Sequence, residues 1–380
     1  LAQQRGLRPE GSVDTATGRG EGKGMDGPLL RLDGIGRRAS GLGEISLELA
    51  RGETLALLAP AGAGKSALLR LIAGTDRPDA GRMLLDGRDL VPLAPSQRPL
   101  ALFDPDLPAN RTVQEAIAQL LPGYGIPARD RPARIARALT ALGLDGFEGR
   151  RIAQLGPLPR LRAAFARALA PEQPLLLLDD PLAGLDPAPR HAFAFELRRL
   201  ARRLGLTLLL ATREGEEAMA LGDRVAVLED GRIAQCATPR ALYDEPATAG
   251  IAGLLGENNR LPGTVEWREE AECGIRLDCG PLVEARIADA GGPGSRCIVA
   301  IRPDRVAVAA LPAEEMGEGA LPAALRDSVF LGDHVRLLLE LGEGGMLIAR
   351  RPPGARLPIP GGPASVAWDP YAAFAYRALR

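Results

Sequence analysis

Aromatic residues make up only 3% of this 380-residue chain, and none occurs before Phe103. That scarcity argues against the stacking platforms on which single-stranded nucleic acid is held. The formal net charge of −1 likewise gives no support for nonspecific nucleic-acid binding. No apolar run approaches the roughly 18 residues that span a bilayer, so membrane association is expected to go through a partner. The four cysteines, Cys236, Cys273, Cys279 and Cys297, lack zinc-type spacing. They read as buried or incidental thiols of a reducing compartment. The two histidines, His191 and His334, fall outside every motif described below and read as surface or structural residues. Residues 1–24 have no apolar core of the kind a signal peptide needs.

What is present suits a globular protein of two or three domains: 46% apolar and 25% charged residues. Residues 1–24 are rich in Gly, Arg, Glu and Thr without periodicity and read as disordered. Met25 directly precedes the first expected strand, so it is expected either to be the true start or to follow a dispensable leader.

Two segments carry the chemistry. Ala59–Ser66, APAGAGKS, closes the apolar run Thr54–Leu58. Leu175–Asp180, LLLLDD, is an apolar strand ending in two carboxylates. The first follows the G-x-x-x-x-G-K-[ST] phosphate-loop pattern, with Ala59 at the first glycine position. Glycines let backbone N–H groups turn onto phosphate oxygens, and the N-terminus of a following helix favours anions. The expected cradle is Gly62, Ala63, Gly64, Lys65, Ser66 and Ala67. Lys65 would reach the β- and γ-phosphates, and the Ser66 hydroxyl would ligate Mg²⁺. Ala59 is tolerable if its φ is negative and damaging if it is positive. Asp179 is the expected metal-facing carboxylate.

Strands are expected at Leu29–Asp33, Ile45–Leu49, Thr54–Leu58, Arg82–Leu85 and Leu100–Phe103. Amphipathic helices are expected at Thr112–Leu120 and Ala133–Leu142, with further helices at Leu161–Ala170 and Arg190–Leu204. Leu175–Leu178 and Thr207–Ala211 read as buried parallel strands. Asp230-Gly231 signals a hairpin between Arg224–Glu229 and Arg232–Ala234. After about Gly256 short strand-like runs alternate with Gly/Pro turns, the texture of a small all-β barrel.

The order of these motifs resembles the nucleotide-binding subunits of ABC transporters. It is most like importer subunits of the polyamine, iron and maltose type, which carry a C-terminal TOBE domain of OB-like fold. The resemblance rests on PAGAGKSALLRLIAG, ARALAPEQPLLLLDDPLAGLD, GDRVAVLEDGRIAQCATPRALYDEPA, GENNRLPGTV, VAIRPDRV and LGDHV, and covers about Leu29 to Trp368. It implies an α/β phosphate-loop domain with a helical insert, then a small β-domain. The expected division is a leader at 1–26, a nucleotide-binding domain at 27–255 with its insert at about 104–170, and a β-domain at 256–380. It also implies ATP and Mg²⁺ as cofactors. The implied partners are a second ATPase subunit, two permeases and, indirectly, a periplasmic binding protein, at the cytoplasmic face of the inner membrane.

The sequence departs from that family at the nucleotide. The family's LSGGQ signature aligns with Leu155-Gly156-Pro157-Leu158-Pro159, which lacks the serine hydroxyl and two backbone donors. Asp180 replaces the catalytic glutamate, one methylene shorter, and remains the candidate base. Arg213 stands in place of a histidine and is the candidate for stabilising charge on the γ-phosphate. Asp104 replaces the glutamine expected near the metal. Gly36–Ser40 offers no aromatic for adenine, only Arg37 or Arg38. Three readings therefore stay open: a transport ATPase subunit, a pseudo-ATPase acting as a regulatory or structural subunit, and a soluble ABC protein acting on nucleic acid or ribosomes.

Overall fold

The computed structural model describes residues 27–317 and 319–378. The leader expected at 1–26 and the proposed start at Met25 lie outside the described residues. Strands β1 (Leu30–Arg37), β2 (Leu42–Leu49), β3 (Thr54–Leu58), β4 (Ala80–Leu85), β5 (Arg88–Asp89) and β6 (Leu100–Leu102) come first, with helix α1 (Lys65–Ala73) after β3. An insert of three helices follows: α2 (Val113–Ala118), α3 (Arg131–Ala141) and α4 (Pro157–Leu169). Then come β7 (Leu175–Asp179), α5 (Pro187–Leu204), β8 (Leu208–Thr212), α6 (Gly215–Leu221), β9 (Arg224–Glu229) and β10 (Arg232–Ala237).

The central sheet runs β10-β9-β3-β8-β7-β6, parallel except for the edge strand β10. Its strands are continuous apolar runs because both faces are covered. Their two-residue period divides the core in two. Ala56, Leu58, Leu176, Leu178, Leu208 and Leu210 join the side that packs the helical insert. Leu55, Leu57, Leu175, Leu177, Leu209 and Ala211 join α1 and the antiparallel sheet β2-β1-β4-β5 on the other side. Phe165 of α4, fully buried, stacks between Phe103 and Phe193 at centroid distances of 4.4 and 5.4 Å, fastening the insert to the sheet and to α5.

Two short helices, α7 (Pro239–Asp244) and α8 (Ala249–Leu254), lead into the β-region. There β11 (Asn259–Glu269), β12 (Glu272–Leu277), β13 (Leu282–Ile287) and β14 (Arg296–Ile301) close a barrel with the late strand β20 (Ala373–Arg377). The intervening β15 (Ala307–Ala309), β16 (Leu321–Phe330), β17 (Val335–Leu341), β18 (Gly345–Arg351) and β19 (Ala364–Ala367) form a second sheet, separated at its start by a short α9 (Ala313–Met316). The β-region is thus a closed barrel plus an open sheet sharing one core, rather than the barrel alone expected from the sequence. Cys273, Cys279 and Cys297 are buried in that core and Cys236 is half-buried, all as free thiols. Burial pushes the Cys273 and Cys297 thiols up to about 11, which keeps them unreactive.

Candidate functional site

The site lies at the carboxyl ends of the parallel strands, where an open α/β sheet places its ligands. β3 ends at Leu58, and the chain turns through 59–64 into α1. Gly62 and Gly64 hold φ at 81° and 100°, the left-handed region that glycine enters without strain. A side chain at Gly64 would also meet Leu42 at 2.7 Å. Ala59 is not among the described residues with positive φ, so its methyl group is tolerated.

Lys65 opens α1 and is 6% exposed. Its Nζ donates to the carbonyl oxygens of Ala59 at 2.7 Å and Pro60 at 3.0 Å, so the ammonium is held across the mouth of its own loop. Burial lowers the lysine pKa, the charges of Asp180 and Asp179 raise it, and that of Arg213 lowers it again. Four of the expected residues therefore share one electrostatic neighbourhood. Ser66, half-buried, is the next residue of α1.

Asp179 is the last residue of β7, exposed at the strand tip and paired in register with Ala211 of β8. Asp180 follows with φ 42°, its N–H bonded to the Ala211 carbonyl at 2.8 Å. Aspartate is among the residues that tolerate this backbone region best. Arg213, just past β8, is 61% exposed, with Nε 3.5 Å from Glu214.

Asp104 is engaged elsewhere. Its carboxylate lies 3.0 Å from Nη2 of the buried Arg167 of α4, which also donates to the Asp104 carbonyl at 2.5 Å. Its other oxygen accepts from the Asp106 N–H at 2.9 Å. Arg37 is likewise committed, to Asp76 at 2.5 Å, leaving Arg38 as the exposed one of the two candidates for adenine.

The signature-aligned segment forms the start of α4, four residues earlier than the apolar pattern suggested, because proline is favoured in the first helical turn. Gly156 is the N-cap, and Pro157 and Pro159 fall in that turn. The Arg160 N–H is spent on the Gly156 carbonyl at 3.0 Å. Of the N–H groups that normally face an anion at a helix start, Leu158 alone remains within the first three residues of α4.

Sequence reading missed Glu217. It lies on α6 at 6% exposure, with Oε2 accepting from the Thr212 hydroxyl at 3.2 Å. That hydroxyl in turn accepts from the Glu214 N–H at 3.1 Å, so the pair sets the turn bearing Arg213. Burial pushes the Glu217 pKa up to about 7; the Thr212 hydrogen bond opposes this, Asp180 adds to it and Arg190 counters it. Two acids in one helical turn gave no signal of which would be buried.

The sign of the pH effect follows. Between about 4.5 and about 7 the folded protein holds a proton on Glu217 that the unfolded chain has released. Stability from this group is therefore full below about 4.5 and is lost as pH rises through about 7, on the order of 3 kcal/mol at most. Glu217→Gln should remove that slope. Urea denaturation of both proteins at pH 5 and pH 8 reads the difference; equal losses in the two would disprove the assignment.

The phosphate loop, the strand-tip carboxylates and the appended barrel define a phosphate-loop nucleotide-binding domain joined to a β-domain. The family model described as ABC transporter matches residues 42–183, and the TOBE domain model matches residues 299–375. The chain is 34% identical over 315 residues to the spermidine/putrescine import ATP-binding protein PotA of Mesorhizobium japonicum, covering 80% of this chain and 84% of that protein. It is 34% identical over 307 residues to the Fe(3+) ions import ATP-binding protein FbpC of Rhizobium etli, covering 80% and 85%. Among solved structures it is similar to cbiO1 from Clostridium perfringens, part of the ABC transporter complex cbiONQ, with TM-score 0.52 and 25% identity over 58% of this chain and 92% of that one. The chain belongs to the ATP-binding subunits of ABC transporters, in the group that carries a C-terminal TOBE domain.

Proposed function

We propose that the chain is the ATP-binding subunit of an importer, polyamine-like by likeness, and that it binds ATP with Mg²⁺ but turns it over slowly or not at all. Among the described residues no helix is long and apolar enough to cross a membrane. This is consistent with attachment through two permeases at the cytoplasmic face, pairing with a second ATPase subunit and supply by a periplasmic binding protein. The cargo stays at the level of class, because relatives named for polyamine and for iron are equally similar.

The residues present fit the cofactor. Left-handed glycines cup the loop, and Lys65 has an ammonium that can leave two carbonyls for phosphate oxygens. Ser66 and Asp179 offer the oxygen ligands a hard cation takes. Bound Mg²⁺ would neutralise phosphate charge. In this reading Asp180 would orient and deprotonate the attacking water, and Arg213 would meet developing charge. Asp104, paired with Arg167, links this end of the site to the start of the helical insert. The loops at 36–40 and 182–186 complete the frame, with Asp186 as the N-cap residue of α5.

One observation carries the slow-turnover reading: the first turn of α4 contains two prolines where the opposite subunit's γ-phosphate would need N–H donors. Asp180 and Arg213 affect the site on this chain's own loop, whereas Pro157–Pro159 affects the site on its partner's loop. An intact partner would therefore rescue neither. Phosphate release by the chain assembled with its permeases tests this. Expected is a rate within twofold of the same assembly carrying Asp180→Asn. A tenfold fall on that substitution would mean that hydrolysis is intact. The alternative of a nucleic-acid-directed protein has no observation in its favour.

A further inference from the structure

The seam between the nucleotide-binding domain and the barrel contains a cavity of about 240 Å³, far from the phosphate loop in sequence and lined by α7, the segment around Asn258, and strands β13, β14 and β20. Its inner wall holds Arg302, which directly follows β14 and is 7% exposed. One face of the guanidinium is covered by the Tyr243 ring at 3.7 Å. Its Nη2 is buried and has no hydrogen-bond partner, and the same is true of the amide oxygen of Asn258 in the same cavity.

Three neighbouring arginines are already matched, while Asp369 lines the same cavity with no cation paired to it among the described residues, its carboxylate accepting from the Tyr371 N–H at 2.9 Å. Arg240 pairs with Asp244, and Arg286 pairs with Glu245 at 3.2 Å while covering the Phe374 ring at 5.1 Å. Arg305 meets Asp304 at 3.6 Å. The Tyr376 hydroxyl donates to the Pro246 carbonyl at 2.8 Å, tying the last barrel strand to the end of α7. Arg302 is the buried cation of this wall with no carboxylate paired to it. A buried unpaired charge is costly, and contact with an aromatic face recovers only part of that cost.

From this geometry we infer that the cavity is a binding site for a small oxyanion, a carboxylate or a phosphate group carrying a neighbouring hydroxyl. The anion would take the free guanidinium edge of Arg302, and the hydroxyl would donate to the Asn258 amide oxygen. A planar guanidinium with one face covered leaves its N–H edge free, the side that carboxylates and phosphates engage. The walls come from both domains, so occupancy would stiffen the seam between them.

The test is calorimetric titration of the full chain with sodium phosphate and, separately, sodium malate at constant ionic strength. Both are done in a Lys65→Ala background, so that the phosphate loop does not contribute. A saturable site for either anion is expected; the anion that binds tells phosphate from hydroxycarboxylate. Arg302→Gln should weaken it about tenfold or more, and Asn258→Ala by a smaller factor. If Arg302→Gln fails to fold, the Asn258→Ala titration decides alone. Absence of saturable binding by either anion, or unchanged binding in the variant that decides, would overturn the assignment.

Discussion

Lys65→Ala should cost this protein at least about 10²-fold in MgATP affinity. Each charge-assisted hydrogen bond from an ammonium to a phosphate oxygen contributes about 1.5–3 kcal/mol, and two such bonds exceed a hundredfold. The structure adds a reason for a large effect. Lys65 is 6% exposed, and Asp179 and Asp180 both act on its charge. Without the ammonium those carboxylates would face a polyphosphate with no fixed cation between. The variant also leaves the Ala59 and Pro60 carbonyls without their partner, so a thermal melt must accompany the titration. Calorimetry of wild type and variant with MgATP is the measurement. Equal affinities in two folded proteins would remove nucleotide binding at this loop from the functional reading.

Rebuilding the start of α4 should have the second large effect. Gly156→Ser, Pro157→Gly, Leu158→Gly and Pro159→Gln together restore a hydroxyl and two backbone N–H groups at a helix N-terminus. Removing one preorganised donor to a developing oxyanion costs about 10²–10³ in rate, so restoring two should matter by at least that much. Dimerisation gives the cleaner readout, since a competent signature loop closes on ATP held by the opposite subunit. Expected is a MgATP-dependent dimer, by light scattering, in the rebuilt chain carrying Asp180→Asn, and none with the native loop in that background. If the native loop already dimerises on MgATP, its prolines are no obstacle.

The linear motifs were readable because they are local. Thr54–Leu58 and Arg224–Glu229 coincide with β3 and β9, and the glycines at 62 and 64 take the backbone their positions demand. The misses come from long-range contacts. In β12 Gly274 interrupts the apolar run, yet it lies in a strand because the Trp267 indole occupies the place of a side chain, 2.0 Å from where a Cβ would stand. β16 carries Pro322 and few apolar residues in alternation, and it is fixed by pairing with β17 and β19. β20 closes the barrel against β13 and β14, strands some eighty residues earlier in the chain. The same holds at the site. The pairing of Asp104 with Arg167 depends on where α4 packs, and Glu217 became notable only once α6 packed it beneath Thr212.

The order of strands in the central sheet has a consequence for how the chain is made. β3 lies between β8 and β9, and its first paired residue, Thr54, meets Leu208, which is 208 − 54 = 154 positions later. At roughly 5–20 residues per second, the strand bearing the phosphate loop waits about eight to thirty seconds on the ribosome before either neighbour emerges. During that wait β1, β2 and α1 can shelter Leu55 and Leu57, the face they share in the finished protein. Ala56 and Leu58, on the opposite face, are left to the later helices. The half of the strand exposed longest thus includes its smallest side chain, which limits how sticky the nascent chain is before its neighbours arrive.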